Sequence, residues 1–200
     1  MEIIFAIAIL IMSVVVHEVS HGFVAGILGD PTAKIAGRLT LNPLKHLDPV
    51  GSFLVPLITS FSGFVFGWAK PVPYNPYNLG PSRWGPALVG VAGPGANLLI
   101  ALIFSTLLRL DIWVSVSTPV FMLVQQIAFI NIILAIFNLI PLPPLDGSKV
   151  LFSILPYRYH FIQEFLEKYQ LLLILALIFF GWDIIISPIV WFFYKLLILV

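Results

Sequence analysis

Residues 17–21 read His-Glu-Val-Ser-His and lie inside a long apolar stretch of the chain. Residues four apart on a helix project from one face, so His17 and His21 can bind the same metal ion. Glu18, beside them, is placed to act as general base toward a water on that metal. Ionisable side chains at lipid depth are costly and by default functional. This spacing predicts a metal-dependent hydrolytic site rather than two packing histidines.

A third metal ligand must come from elsewhere, because a catalytic zinc takes three protein ligands and keeps one position open. Asp146 is the preferred candidate: prolines hold NLIPLPPLDG extended, and Gly147 permits a tight turn. The alternative role for Asp146 is to cap the helix that begins near Ser148. The other candidates are His46, Asp48, Asp111, His160, Glu164, Glu167 and Asp183.

The composition is that of an integral membrane protein. Of 200 residues, 60% are hydrophobic and only 10% are charged, whereas soluble domains carry about a quarter charged residues. The net charge of +1 and the lack of a basic block exclude a nucleic-acid partner. The chain has no cysteine, which excludes disulfides, thiolate metal sites and a cysteine nucleophile. The length predicts a single domain over residues 1–200.

Four segments are long enough to cross a bilayer, which takes about 20 apolar residues. They are residues 2–28, 84–110, 119–140 and 171–186. The first lacks a basic start and a cleavage site, so we expect a retained span rather than a signal peptide. The predicted fold is an all-α polytopic membrane protein. Three transmembrane helices form the core within residues 1–147, and one or two further helices follow in residues 148–200. Pro188 should kink or end the last span.

The region between the first two spans is predicted to be irregular. Residues 35–41 alternate as a strand would, and residues 69–77 are too rich in proline for a helix, so we expect extended edge segments that resemble a β-hairpin. Asp48 and Pro49 predict the start of a helix. Further on, residues 157–169 have the pattern of an amphipathic surface helix.

A shared metal fixes the topology. The histidines lie near the end of the first span and Asp146 follows the third, so these two spans must be parallel. Residues 50–66 must then re-enter the membrane and leave by the same side, which is tolerated where protein covers them. The positive-inside rule makes the ligand side cytoplasmic, since that side carries Lys34, Arg38, Lys45, Lys70 and Arg83, against Arg109 on the other.

From residue 17 to residue 147 the motifs resemble those of the site-2 protease family of intramembrane zinc metalloproteases, peptidase family M50. HEVSH resembles the HExxH motif of that family, and NLIPLPPLDG resembles its Asn-Pro-Asp-Gly element. GPGANL, residues 93–98, resembles its Gly-Pro-x-x-Asn element. The chain is similar to the short members that lack PDZ and CBS domains.

The resemblance implies one Zn²⁺ per chain, with Asp146 as third ligand beside the two histidines. It also implies that Asn138 and Asn97 line the site and position the substrate or the developing oxyanion. The alternative for both amides is hydrogen bonding between helices. His46 is retained as an accessory candidate without an assigned role.

The predicted reaction is hydrolysis of peptide bonds within or near transmembrane segments of another membrane protein, in a prokaryotic cell membrane. The expected partners are that substrate and the lipid bilayer. Three alternatives stay open. The same ligand types form non-haem iron sites. A divalent-metal transporter should spread ligands along a path and often shows repeats. A proteolytically inactive homologue would need no Glu18. The sequence leaves substrate identity and oligomeric state open.

Overall fold

A computed structural model describes residues 2–48, 70–80, 83–109 and 118–199. Within these residues the protein is built from helices, with no β-strand. Four helices are long and apolar enough to cross a membrane: Ile4–Ile27, Gly85–Leu108, Pro119–Asn138 and Gln170–Ile198. The prediction of an all-α polytopic membrane protein is confirmed, and each predicted span coincides with one of these helices.

The helices follow one another with short connections. They are α1 (Glu2–Ile27), α2 (Thr32–Ile35), α3 (Gly85–Leu108), α4 (Thr118–Asn138), α5 (Gly147–Ile154), α6 (His160–Lys168), α7 (Gln170–Ala176) and α8 (Ser187–Tyr194). Single 3₁₀ turns occur at Pro43–Lys45, Pro76–Asn78 and Tyr157–Tyr159. The π-helical stretches Leu177–Ile186 and Lys195–Leu199 continue α7 and α8, so the last span runs without interruption.

Polar side chains at three levels fix the directions of the core helices. His21 near the end of α1 meets Val89 near the start of α3, and Ser13 lower on α1 meets Asn97 further along α3. These two helices are therefore antiparallel. Asn131 of α4 also bonds Ser13, and the chain after α4 reaches the two histidines. The prediction that α1 and α4 are parallel is confirmed.

The predicted re-entrant segment, residues 50–66, and the helix expected from residue 49 lie outside the described residues. The residues that flank this gap are described, and they meet. The backbone N–H of Lys70 donates to the carbonyl of His46 over 2.9 Å. Arg38 Nη2 donates to the carbonyl of Lys70 over 3.1 Å. The chain therefore leaves and returns at one place, as the topology argument requires.

Residues 35–41 do not form the expected strand. Ile35 ends α2, and the chain turns at Gly37, whose φ is +63°. The N–H of Gly37 donates to the Lys34 carbonyl and the N–H of Arg38 to the Ala33 carbonyl, the pair of bonds that defines a Schellman helix end. The glycine's positive φ stopped a helix where the alternation of side chains indicated a strand. Residues 70–75 are irregular as well.

The C-terminal helices pack against the core. An apolar cluster joins α3, α4 and the last span, and it comprises Ala101, Ile132, Ile136, Leu145, Leu177, Ile186 and Val190. Pro188 does not end the last helix, because it stands in the first turn of α8 just after the wider π-helical turns. At the far end, Arg109 donates to the carbonyls of Leu196 and Leu197. The predicted surface helix is observed as α6.

Candidate metal centre

Three side chains that are distant in sequence converge between α1 and the start of α5. Nε2 of His17 lies 2.9 Å from Oδ2 of Asp146, and Nε2 of His21 lies 3.0 Å from the same oxygen. All three residues are buried, with exposed fractions of 6%, 4% and 6%. Two imidazole nitrogens and one carboxylate oxygen are donors that Zn²⁺ accepts in catalytic sites. This cluster could therefore hold a metal ion.

Asp146 reaches the histidines because the chain doubles back after α4. Gly147 lies so close to the end of that helix that a Cβ atom would come within 2.2 Å of the Leu139 carbonyl oxygen. Only glycine leaves room for this approach. Asp146 occupies the position before α5 but makes no capping hydrogen bond with its side chain. The carboxylate faces α1 instead of serving as a helix cap.

The hydrogen bonds behind the imidazoles orient their metal-binding nitrogens. Nδ1 of His21 lies 2.6 Å from the carbonyl oxygen of Val89, which can only accept, so Nδ1 must carry a proton. Nε2 of the neutral ring then has a lone pair, and it faces the carboxylate of Asp146. Two acceptors in contact need a cation between them. The donor chemistry therefore fits a metal ion, and the second bond of the ring is the one usual for metal-bound histidine.

Asn97 performs the same role behind His17. Its Oδ1 lies 2.5 Å from Nδ1 of His17. Its Nδ2 donates to the backbone carbonyl of Ser13 and to Oδ1 of Asn131, over 3.3 and 2.7 Å. Because the Ser13 carbonyl only accepts, the amide of Asn97 must present its oxygen to the imidazole. Asn97 is fully buried, so its contacts are with the ligand and the neighbouring helices.

Gly93 lies against the faces of both imidazoles. A Cβ atom at this position would lie 2.5 Å from Nε2 of His17 and 2.5 Å from Nε2 of His21, well inside van der Waals contact. The sequence indicated only close helix packing at Gly93. Its place four residues before Asn97, on the same face of α3, is the signal that could have connected it with the site.

Lys149 is a site residue that the sequence did not single out. Its Nζ lies 2.8 Å from Oδ1 of Asp146, the carboxylate oxygen that faces away from the histidines. The spacing of three residues on α5 is the signal that could have revealed this pair. Burial would raise the pKa of Asp146, but hydrogen bonds from the histidines and the charge of Lys149 hold that pKa well below its ordinary value. The third ligand is thus an ionised carboxylate.

Glu18 is held by the chain that crosses α1. Its Oε2 accepts the backbone N–H of Val72 over 2.8 Å, and Val72 is 5% exposed. Residues 70–78, hereafter the 70–78 segment, are anchored by Asp30. The carboxylate of Asp30 accepts from the N–H of Asn75 and the amide of Asn78, over 2.7 and 2.9 Å. The end of α1 and the segment against Glu18 are therefore one connected unit.

Two predicted residues do not contact the cluster. Asn138, the last residue of α4, donates to the Leu134 carbonyl. His46 is 1% exposed and its Nε2 donates to the Thr40 carbonyl over 2.9 Å. Their proposed roles stay predictions.

The other candidates for the third ligand lie elsewhere. In the part of the chain that the structure describes, Asp146 is the acid that joins His17 and His21. His160 pairs with Glu164 on α6 over 3.3 Å, and Asp183 is exposed on the last span. Asp111 lies outside the described residues.

Comparison with known proteins gives a consistent result. The sequence model of peptidase family M50 matches residues 112–181. YwhC of Bacillus subtilis (strain 168) is 41% identical over 153 residues, which are 74% of this chain and 67% of YwhC. Rip2 of Mycolicibacterium smegmatis is 32% identical over 141 residues, which are 70% of this chain and 53% of Rip2. Both carry names that provisionally assign them as zinc metalloproteases.

A third relative, MJ0392 of Methanocaldococcus jannaschii, is named a zinc metalloprotease and is 25% identical over 156 residues. Those residues are 78% of this chain but 36% of MJ0392, so the chain spans only part of that protein's length. No solved structure matches the chain. The family match, the identity to YwhC and the share of YwhC covered together show that this chain belongs to peptidase family M50, the site-2 protease family.

Proposed function

We propose that this protein is an intramembrane zinc endopeptidase, which hydrolyses peptide bonds within or near transmembrane segments of other membrane proteins. The supporting observation is the convergence of His17, His21 and Asp146. Their metal-binding atoms meet in a buried position, and both imidazoles are already fixed from behind. A site arranged in this way needs little reorganisation when it takes up a metal ion.

The division of labour follows from the positions of the side chains. The three ligands would hold Zn²⁺, which when bound supplies Lewis acidity that activates water and polarises a carbonyl oxygen. Glu18 takes the proton of the attacking water and delivers it to the leaving amine nitrogen. Val72 binds Oε2 of Glu18. Oε1 has no hydrogen-bond partner among the described residues and is the oxygen we assign to proton transfer.

The substrate must present an unwound peptide bond, because a helix hides its backbone. We place the unwound chain along the irregular residues 70–75, which lie against Glu18 and could pair with it as an edge strand. Replacing these residues with a helix-forming loop should abolish cleavage while zinc stays bound. Undiminished cleavage by that variant would refute this placement.

We also propose that the site faces the cytoplasm of a prokaryotic cell. The positive-inside rule relates an excess of Lys and Arg to the cytoplasmic side. The hydrogen bonds between Arg38, Lys70 and the region of the site put these basic residues at the end of the molecule that carries the metal ligands. The opposite end carries Arg109 and Lys195.

The decisive experiment uses the Glu18→Gln variant. Purified wild-type protein in lipid vesicles should contain one equivalent of zinc and cleave single-span test proteins. Glu18→Gln should keep the zinc and lose cleavage, because the amide cannot accept the proton. His17→Ala should lose both. Cleavage by Glu18→Gln at the wild-type rate would exclude Glu18 as the base.

The same preparations test the alternatives. Elemental analysis that finds iron in place of zinc would favour the non-haem iron site. Zinc flux into sealed vesicles, without proteolysis, would favour a transporter, although ligands gathered at one depth do not form a path. Zinc binding with neither flux nor cleavage of any test protein would favour an inactive homologue.

A further inference from the structure

Asp183 is an acidic residue in the middle of the last membrane span. It lies midway along Gln170–Ile198, about 20 Å from each end at the helical rise of 1.5 Å per residue. The apolar core of a bilayer is about 30 Å thick, so this carboxylate lies near its centre. Charged groups at this depth are rare, and where they occur they are paired or functional.

The side chain of Asp183 points away from the protein core. In its helical stretch, Leu177, Gly181 and Ile186 are the buried residues that face α4. Asp183 is exposed, as are Phe179 and Phe180, with exposed fractions of 69% and 76%. No hydrogen bond or ion pair joins Asp183 to another residue in the described part of the chain.

The catalytic site does not account for this residue. The metal ligands lie between α1, α3 and the start of α5, whereas Asp183 lies on the outer surface of the last span. We define the outer face of this span by Phe179, Phe180, Asp183 and Ile184, the last of which is 77% exposed. It is an apolar surface with a single carboxylate at its centre.

A second copy of this chain cannot neutralise that carboxylate with a cation. The spans Ile4–Ile27, Gly85–Leu108 and Pro119–Asn138 contain no Lys or Arg. The last span contains Lys195, but this residue lies close to its end. The partner that matches the charge must therefore be a different protein.

We propose that the outer face of the last span docks a transmembrane helix of another protein, which carries a Lys or Arg at mid-membrane opposite Asp183. Phe179, Phe180 and Ile184 pack against the partner's apolar surface, and Asp183 pairs with its cation. Burying both charges together removes each from lipid. The pair therefore gives the contact its specificity, and the apolar residues supply the area.

The test uses a synthetic probe helix of leucine and alanine with one central Lys, and a matched probe with Leu at that position. The chain has no cysteine, so a single Tyr157→Cys change allows one dye at the 90% exposed position 157. Energy transfer from the labelled probe is measured in phosphatidylcholine vesicles. The Lys probe should associate about tenfold more tightly than the Leu probe, and Asp183→Asn should remove this difference.

A charge exchange guards against a folding artefact. Asp183→Lys should prefer a probe with a central Asp over one with a central Lys, and the zinc content of both variants should equal that of the wild type. Equal binding of the Lys and Leu probes by the wild type would overturn the proposal. Energy transfer between differently labelled copies of this chain that disappears in Asp183→Asn would also overturn it, because the occupant would then be a second copy.

Discussion

His17 is held from both sides of its ring. Nε2 faces Asp146, and Nδ1 is bound by Asn97, whose amide is fixed in turn by Ser13 and Asn131. The chain of hydrogen bonds thus spans α1, α3 and α4 at one level. In a protein interior such a network is effective only when every member is satisfied. Asn97 therefore acts on the metal ligand through geometry and proton position.

The substitution Asn97→Ala tests this role. Without the amide oxygen, His17 loses the acceptor that fixes its ring and its tautomer, so we expect zinc affinity to fall by about 10- to 100-fold. Competition with a calibrated chelator measures the affinity. The matched control is Asn138→Ala, whose amide contacts only the Leu134 carbonyl in the described structure, and which should bind zinc as the wild type does. Unchanged zinc affinity in Asn97→Ala would leave its original assignment to substrate positioning.

Helices α1 and α3 approach closely because a glycine lies where the imidazoles project. Gly93 gives the space for both rings, while Gly95, two residues on, has no atom within 4 Å of the position that a Cβ would take. One glycine of the GPG sequence therefore serves the site, and the other has no steric constraint. The two positions form a natural pair for comparison.

We expect Gly93→Ala and Gly95→Ala to have opposite effects. The methyl group at position 93 must displace both imidazoles, so zinc binding should be lost or reduced at least tenfold. At position 95 the methyl group meets open space, and alanine is the better helix former by about 1 kcal/mol, so zinc binding should be retained and thermal stability unchanged or raised. Zinc content and melting temperature in detergent measure both. Equal zinc content in the two variants would contradict the packing argument.

The end of α1 and the 70–78 segment are joined through Asp30, which is 1% exposed. The two glycine-terminated helix ends bring the chain into position: Gly29 closes α1 with a φ of +107°, and Gly37 closes α2. Burial would raise the pKa of Asp30. Hydrogen bonds from the Thr32 hydroxyl, the Asn78 amide and the Asn75 N–H outweigh this effect and hold the pKa below its ordinary value.

This lowered pKa predicts a pH-dependent stability. A carboxyl whose folded pKa is depressed contributes stability that is complete above its unfolded pKa of about 3.9. The contribution is lost as the pH falls through the folded value. Asp30→Asn should therefore lower the free energy of unfolding at pH 7 by about 1–3 kcal/mol, and the difference from the wild type should shrink below about pH 4. Denaturant titrations at pH 7 and pH 3 measure it. A pH-independent difference would show that charge is not what Asp30 contributes.

At the scale of the whole molecule, three core helices alternate in direction and the last span returns parallel to α3. The ends of α1 and α4 therefore lie together, and the chain flanking residues 49–69 begins and ends at that same side. Arg109 joins the end of α3 to the end of the last span at the other side. This arrangement puts the metal ligands and most basic residues at one end of the molecule.

Accessibility labelling in intact bacterial cells tests this arrangement. Single cysteines at Tyr77 and Tyr157, which are 95% and 90% exposed, should react only with membrane-permeant reagents. Ser115→Cys, in the connection between α3 and α4, should react with impermeant reagents as well. Labelling of positions 77 and 157 from opposite sides would break the topology on which the shared metal site depends. Labelling of both from outside would leave the site intact and reverse its orientation.

The sequence by itself determined the features that depend on local pattern. Apolar length predicted all four spans, the four-residue spacing placed both histidines on one face, and the Pro-rich approach to Gly147 indicated Asp146. The tertiary structure decided what depends on contacts between distant residues: the bond of Asn97 to His17, the space at Gly93, the pairing of Lys149 with Asp146 and the support of Glu18 by Val72. The strand expected at residues 35–41 was wrong, because the positive φ of Gly37 closes a helix there. Periodicity reports which face of an element is buried, but the neighbour that covers that face is set only when the helices pack.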